Sequence, residues 1–212
     1  SCVPRKGTEG SNPSLCAKRR QSADQKTRFF DRVFCIPRVY LRLYGRPRFY
    51  GATEEFMEKI ASFTVDHTRL QPGLYLSRTD KNGGTAVSTF DLRFVAPNRE
   101  PVIDMPALHT IEHLGATFLR NSARKEEVVY FGPMGCRTGF YLLMFGELSA
   151  QNVLPLVADM CDFILSFEGE IPGARPEECG NWREQNLETA KFYVKKYLGE
   201  LLNARRTQYP GA

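Results

Sequence analysis

The most informative part of the chain reads Met105-Pro106-Ala107-Leu108-His109-Thr110-Ile111-Glu112-His113-Leu114. Pro106 is typical of the first turn of a helix, where its missing N–H costs nothing. Residues with apolar side chains recur here at helical spacing, which predicts an amphipathic helix. These residues are Leu108, Ile111, Leu114 and Phe118.

Two histidines on this predicted helix have the spacing of a metal site. Residues four apart lie on one helix face, so His109 and His113 are expected to direct their imidazoles at one point. Such a pair suits Zn²⁺ or Fe²⁺. Glu112 lies beside the second histidine, close enough to carry protons next to a metal without binding it. The alternative, that the histidines only cap or pack, is disfavoured because the chain holds only 3 His.

Composition indicates one globular domain. The chain has 212 residues, of which 42% are hydrophobic and 25% charged, enough to bury a core. Apolar runs are all shorter than a membrane span, so no membrane partner is expected. The 6 Cys are irregularly spaced, which argues against a disulfide scaffold and favours a reducing, cytoplasmic location.

The net charge of +5 comes entirely from the first 56 residues, which hold 12 Lys/Arg against 5 Asp/Glu, while the remainder holds 17 against 19. A nucleic-acid interpretation would therefore rest on residues 1–56 alone. This segment is a basic arm, a targeting segment, or an extension from upstream translation or cloning that precedes a natural start at Met57. We expect the last, with the domain at 57–212 and no nucleic-acid partner, because every chemically patterned segment follows Met57.

Further segments predict a sheet and two more helices. Alternation and turn residues predict strands at 74–77 and 86–95, joined by a hairpin at Gly83-Gly84, and further strands at 127–131 and 140–145. Helices are predicted at 152–167, with Asn152 as the N-cap, and at 186–203. Asp91 and Arg93 share one strand face, where the arginine is either solvated or positioned to hold a carboxylate.

Three cysteines lie in the patterned part of the chain. Cys136 lies in a glycine-dense turn next to Arg137, where a lowered pKa would make its thiolate a usable base or nucleophile. Cys161 lies among apolar residues and is expected to pack in the core. Cys179 lies at the end of a Pro/Gly loop, where it would supply a third metal ligand.

These residues support two kinds of chemistry. A His₂Cys site with one open position is a Lewis acid, and a carboxylate and a thiolate would serve as separate proton carriers. The set suits proton abstraction beside a carbonyl, followed by isomerisation and elimination. It also suits water activation, because His-x-x-Glu-His resembles the inverted zinc-peptidase motif. A zinc metallopeptidase would leave Cys136 without a role, and that family usually takes a carboxylate as its third ligand.

Five segments, in order, resemble the S-ribosylhomocysteine lyase (LuxS) family. The resemblance covers about residues 60–198. The segments are Ser62-Phe63-Thr64-Val65-Asp66-His67-Thr68, Phe90-Asp91-Leu92-Arg93-Phe94, His109-Thr110-Ile111-Glu112-His113-Leu114, Pro133-Met134-Gly135-Cys136-Arg137-Thr138-Gly139-Phe140-Tyr141 and Cys179-Gly180-Asn181.

The resemblance implies a fold and a reaction. The fold would be α+β, a single domain with an antiparallel sheet packed against helices, in a homodimer with sites at the subunit interface. The reaction would cleave S-ribosylhomocysteine to homocysteine and 4,5-dihydroxy-2,3-pentanedione, the precursor of the autoinducer-2 quorum signal. The cofactor would be Fe²⁺, replaceable by Zn²⁺ or Co²⁺, with one ion per subunit.

The resemblance also implies a role for each site residue. The metal ligands would be His109, His113 and Cys179, and the acid–base pair would be Cys136 and Glu112. The substrate would be held by Ser62, His67 and Arg93.

Two features of the chain depart from the family pattern. Family members usually carry Asp-x-Ser before Pro-Met-Gly-Cys, where this chain has Tyr130-Phe131-Gly132, so a carboxylate expected near the substrate is missing. The long basic leader is also foreign to the family.

Overall fold

The computed structural model describes residues 60–211, and the predictions made for residues 1–56 and for a start at Met57 lie outside this part. The elements follow the chain in the order helix, hairpin, helix, hairpin, helix, helix. They are α1 (Ala61–Thr64), β1 (Gly73–Asn82), β2 (Thr85–Arg93), α2 (Met105–Asn121), a 3₁₀ turn (Lys125–Glu127), β3 (Val128–Pro133), β4 (Gly139–Phe145), α3 (Ala150–Ser166) and α4 (Leu187–Ala204). Within this part, no helix is long and apolar enough to cross a membrane.

The strands form one antiparallel sheet in the order β1-β2-β4-β3. The predicted hairpin is confirmed: Asn82 pairs with Thr85, and Gly83 adopts a φ of 59° in the two-residue turn between them. The predicted fold class, an antiparallel sheet with helices in an α+β domain, is confirmed.

The helices α2, α3 and α4 pack on one face of this sheet, which we call the inner face. Strand residues alternate between the two faces, so Phe90 and Leu92 enter the core while Asp91 and Arg93 lie on the outer face. Helix α2 approaches β3 closely at Gly115, where a Cβ would lie 2.5 Å from the ring of Phe131. Helix α2, which carries the two histidines, therefore packs directly against the sheet.

Side chains cap the N-termini of α2 and α3. Asp104 caps α2 by accepting the Ala107 N–H, and Pro106 lies in the first turn as predicted. The prediction of Asn152 as the α3 cap was wrong. Ser149 is the N-cap, and Asn152 is its reciprocal partner at the third helical position, where its side chain accepts the Ser149 N–H.

Both edges of the sheet are occupied by other parts of the chain. At the β1 edge, the Leu74 N–H donates to the carbonyl of Arg206 at 3.0 Å, so the segment after α4 runs alongside the strand. At the β3 edge, the Arg120 guanidinium donates to the carbonyls of Val128 and Val129 at 2.9 and 2.8 Å.

Candidate metal centre and thiol site

Helix α2 and the loop before α4 bring three potential metal ligands together. His109, His113 and Cys179 each offer one ligand atom, and these atoms all lie within 4.8 Å of one another. The two Nε2 atoms are 3.0 Å apart, and Cys179 Sγ lies 3.4 Å from Nε2 of His109. Two imidazole nitrogens and one sulfur form a donor set that suits Zn²⁺ or Fe²⁺.

Backbone carbonyls orient both imidazole rings. The Nδ1 of His109 is 3.0 Å from the carbonyl of Glu184, and the Nδ1 of His113 is 2.7 Å from the carbonyl of Pro172. A carbonyl can only accept, so each Nδ1 carries the proton and each Nε2 presents a lone pair. With Nδ1 of His109 donating, the nearby amide of Gln185 cannot donate to it. The rings are thus set in the tautomer that a metal requires.

The loop that carries Cys179 is shaped to fit these rings. Gly173 has a φ of 76°, and a Cβ there would lie 3.0 Å from Nδ1 of His113. The Asn181 N–H approaches Cys179 Sγ at 3.5 Å. The donor geometry and the loop both fit a divalent cation at this position.

Glu112 lies on α2 between the two histidines. Its side chain is half-buried and makes no hydrogen bond or ion pair with the described residues. Glu112 therefore lies one residue from a potential metal ligand with no partner among the described residues.

A second group of polar residues surrounds Cys136, in the turn between β3 and β4. The Sγ atom of Cys136 lies 3.1 Å from Oγ1 of Thr138 and 4.0 Å from Nη1 of Arg93. The same Nη1 donates to Thr138 Oγ1 at 2.5 Å. Arg137, adjacent in sequence, has a φ of 57°, and its N–H closes the turn by donating to the Met134 carbonyl.

The predicted lowering of the Cys136 pKa is confirmed, with a different arginine as part of the cause. Burial alone raises the pKa of this thiol, but hydrogen bonding with Thr138 and the positive charge of Arg93 outweigh burial and lower it. Arg93 lies 43 positions away in sequence and reaches the thiol because β2 pairs with β4.

Arg93 is itself held by a buried carboxylate. Its Nε and Nη2 donate to the two oxygens of Asp91 at 3.1 and 2.6 Å, and both side chains are 3% exposed. The sequence left two alternatives for Arg93, solvation or the anchoring of a carboxylate. The structure shows the second, and the carboxylate belongs to Asp91 of the same chain. The hydroxyl of Tyr209 donates to Oδ2 of Asp91 at 3.1 Å. Burial raises the pKa of Asp91, and the charge of Arg93 opposes that rise.

Sequence comparison decides the family. The profile of the family described as S-Ribosylhomocysteinase (LuxS) matches residues 60–208. The chain belongs to the LuxS family. Curated relatives named S-ribosylhomocysteine lyase include those of Clostridium acetobutylicum, 52% identical over 73% of this chain and 99% of the relative, and Porphyromonas gingivalis, 53% identical over 69% and 93%. The relative from Borreliella burgdorferi is 50% identical over 73% of this chain and 100% of its own length.

Five of the residues singled out from the sequence of this LuxS chain fall into the two groups. His109, His113 and Cys179 form the first, and Cys136 and Arg93 belong to the second. His67 is electrostatically coupled to Asp91, and its Nδ1 donates to the Val65 carbonyl at 2.8 Å. Ser62 lies in α1, and its side chain is outside the described part. Among the described residues, no hydrogen bond joins the two groups directly.

Sequence reasoning missed several residues of the LuxS site. Thr138 was quoted only as part of a motif, although it touches both the thiol and Arg93. Tyr209 lies one residue beyond the family match, with no motif around it to indicate a role. Gly173 was assigned to an ordinary loop. The only signal in the sequence was its position after a proline, because Gly after Pro often marks a turn.

A cleft of about 630 Å³ borders the loop that carries Cys179. Its lining includes Arg175, Trp182 and Gln185, and none of the predicted site residues of this LuxS chain. Arg183 stacks on the Trp182 ring at 4.6 Å. The cleft adjoins the first group through Gln185, whose amide lies 3.2 Å from Nδ1 of His109, but its lining includes neither the three potential ligands nor Cys136, so we assign the chemistry to the two polar groups.

Proposed function

We propose that this chain is an S-ribosylhomocysteine lyase, a carbon–sulfur lyase that releases L-homocysteine and 4,5-dihydroxy-2,3-pentanedione from S-ribosyl-L-homocysteine. Membership of the LuxS family and relatives of that name along nearly their whole length support this function. The observation that carries it is the convergence of His109, His113 and Cys179 from segments 70 residues apart. The released diketone makes the chain a source of the autoinducer-2 precursor.

The alternative, a zinc metallopeptidase of the HxxEH type, has no support in the family or its relatives. The donor set also argues against it. The third potential ligand is the sulfur of Cys179, where an inverted-motif peptidase would use a carboxylate.

The cofactor is one Fe²⁺ per subunit, with Zn²⁺ or Co²⁺ as substitutes. When bound, a divalent cation polarises a carbonyl and stabilises negative charge on its oxygen by several kcal/mol. The protein supplies the orientation: carbonyls of Pro172 and Glu184 fix the rings of His113 and His109, and Cys179 provides a thiolate.

Glu112 and Cys136 are the two proton carriers. One removes a proton from the carbon next to the sugar carbonyl while the other returns a proton to the neighbouring oxygen or carbon, which moves the carbonyl along the ribose. A final proton abstraction breaks the C–S bond, and homocysteine leaves with the electron pair and is protonated. The lowered pKa of Cys136 raises the fraction of its reactive thiolate at a given pH.

Ser62, His67 and Arg93 hold the substrate. Arg93 donates three of its N–H groups to Asp91 and Thr138 and directs a fourth toward Cys136 Sγ, which leaves one N–H on Nη2 for a sugar or carboxylate oxygen. His67 donates through Nδ1 to a backbone carbonyl, so its Nε2 is an acceptor for a substrate hydroxyl.

The chain acts as a homodimer with its sites at the subunit interface, and it works in the cytoplasm. The outer face of the sheet supports the dimer: Tyr130 and Phe145 lie on it and are 50% and 46% exposed, beside half-buried Tyr141 and Leu143. Aromatic residues exposed together are typical of an interface. The free thiols of Cys136, Cys161 and Cys179 fit a reducing compartment.

A thiol-release assay on S-ribosyl-L-homocysteine tests the function. The full chain is expected to release homocysteine, a chelator to abolish the release, and added Fe²⁺ or Co²⁺ to restore it. Cys136→Ala is expected to keep its metal and stop turnover. Cys161→Ala, which removes a buried thiol outside both groups, serves as the matched control. A wild-type rate in Cys136→Ala would refute the role of the thiol, and release that resists chelation would refute the metal.

A further inference from the structure

The segment that follows α4 crosses from the inner to the outer face of the sheet. Arg206 lies beside the edge of β1, where its carbonyl accepts the Leu74 N–H and its guanidinium donates to the Pro72 carbonyl at 3.2 Å. Gly73 permits this approach, because a Cβ there would lie 2.8 Å from the Arg206 carbonyl. Three residues later, Tyr209 lies over the outer face.

Tyr209 is held there by its ring and by its hydroxyl. The ring stacks on Tyr75 of β1, with centroids 4.8 Å apart and planes at 12°. The hydroxyl donates to Oδ2 of Asp91, and Ser77 also forms a hydrogen bond with the phenol. Burial raises the pKa of Tyr209, so the phenol stays protonated and remains a donor.

A continuous set of contacts leads from this hydroxyl to the reactive thiol. Tyr209 binds Asp91, both oxygens of Asp91 bind Arg93, and Nη1 of Arg93 lies between Thr138 and Cys136. The side chains of Asp91 and Arg93 are each 3% exposed, so little water is available to replace a lost partner. The orientation of the guanidinium therefore depends on the orientation of the carboxylate, and the Tyr209 hydroxyl fixes one of its oxygens.

We propose that Tyr209 is a positioning residue for the thiol of Cys136, acting through Asp91 and Arg93. The inference rests on the proposed role of Cys136 in the lyase reaction. Loss of the hydroxyl removes one of the two donors to Oδ2 of Asp91 and leaves only Nη2 of Arg93, so the carboxylate loses its anchor outside the ion pair and can shift. Arg93 then loses its fixed position beside the sulfur, and the thiolate loses part of its stabilisation.

The test is the pH profile of Cys136 alkylation in Tyr209→Phe, which deletes one oxygen and keeps the ring that stacks on Tyr75. The full chain is treated with iodoacetamide from pH 5 to 10, and modification is followed on the Cys136 peptide by mass spectrometry. The rate tracks the thiolate fraction. We expect the midpoint to move up by about 0.5 unit or more, and alkylation at neutral pH to slow by about threefold.

Two variants serve as controls, and both are expected to keep the wild-type midpoint. Tyr193→Phe removes a hydroxyl whose one hydrogen bond to the described residues, to the Val102 carbonyl at 3.4 Å, lies outside this set. Tyr75→Phe removes the hydroxyl that donates to the Gln71 carbonyl and retains the stacked ring. The other ionisable groups that face the contacts between Tyr209 and Cys136 are left unchanged in Tyr209→Phe. These groups are His67, Tyr75, Arg78, Tyr141 and Arg206.

The alkylation readout separates this inference from the proposed function. If Tyr209 only stabilises the fold, Tyr209→Phe lowers the melting temperature and leaves the midpoint within about 0.2 unit of Tyr193→Phe, which would overturn the inference. If Cys136 is not used in the reaction, Cys136→Ala still turns over, while the alkylation profile of Tyr209→Phe continues to report on the positioning.

Discussion

Gly173→Ala is expected to weaken metal binding without touching any ligand. The glycine lies next to Pro172, whose carbonyl accepts the Nδ1 proton of His113 at 2.7 Å. A methyl group at position 173 would lie 3.0 Å from that Nδ1 and 3.1 Å from Cε1. Ordinary contacts begin near 3.4 Å, so the ring or the loop must move by a few tenths of an ångström.

The structure separates the two costs of this substitution. The first is backbone strain, because a residue with a Cβ at a φ of 76° loses about 1–2 kcal/mol of folding stability. The second is loss of the bond that orients His113. Removal of such an outer partner typically reduces metal affinity about 10–100-fold, or about 1.4–2.7 kcal/mol. The second cost alone should appear as weaker metal binding.

Competition between the full chain and a chromogenic chelator for Zn²⁺ or Co²⁺ measures this affinity. Two controls isolate the contact. Gly169→Ala has a comparable strain at a φ of 107° but meets nothing within 4 Å, and Gly180→Ala, beside Cys179, has neither strain nor contact. We expect both controls to keep the wild-type affinity. If Gly173→Ala binds metal within about twofold of Gly169→Ala, then the Pro172 carbonyl does not orient His113 for metal binding.

Three further predictions concern the ligand sulfur, the reactive thiol and the packing of α2. Cys179→Ala is expected to lose its metal, and full occupancy by elemental analysis would exclude Cys179 as a ligand. Because the pKa of Cys136 is lowered in the fold, its thiolate forms at lower pH than in the unfolded chain, so its alkylation midpoint should lie below that of the urea-denatured protein; equal midpoints would contradict this. Gly115→Ala places a Cβ 2.5 Å from the Phe131 ring, and is expected to destabilise the fold by about 1–3 kcal/mol in urea unfolding; an unchanged midpoint would mean that the ring moves freely.

Local patterns account for most of the fold that sequence reasoning obtained. Helical spacing identified α2 and its two histidines, and the pair of glycines identified the first hairpin. Each of these signals is contained within a few neighbouring residues. The α3 cap was wrong by three residues because Asn152 does take part in the capping box, as the partner rather than the cap. From sequence alone, the two positions of a capping box offer similar side chains.

The remainder of the site depends on approaches between distant segments. Arg93 reaches Cys136 only because β2 and β4 are neighbours, so the adjacent Arg137 was the natural but incorrect choice of partner. The carbonyls of Pro172 and Glu184 carry no side-chain signal at all, although they orient both histidines. Tyr209 reaches Asp91 across 118 positions, and no local pattern encodes such a contact.

The Arg120 side chain, which donates to the Val128 and Val129 carbonyls, has a consequence for solubility. An edge strand with unused carbonyls is a template onto which a second chain can add a strand and begin aggregation. The guanidinium occupies these two acceptors, so an added strand cannot use them. It also places a positive charge at the sheet edge, which repels the same charge on a second copy of the chain. The same helix that presents the histidines thus also shields the β3 edge against fibril-like stacking.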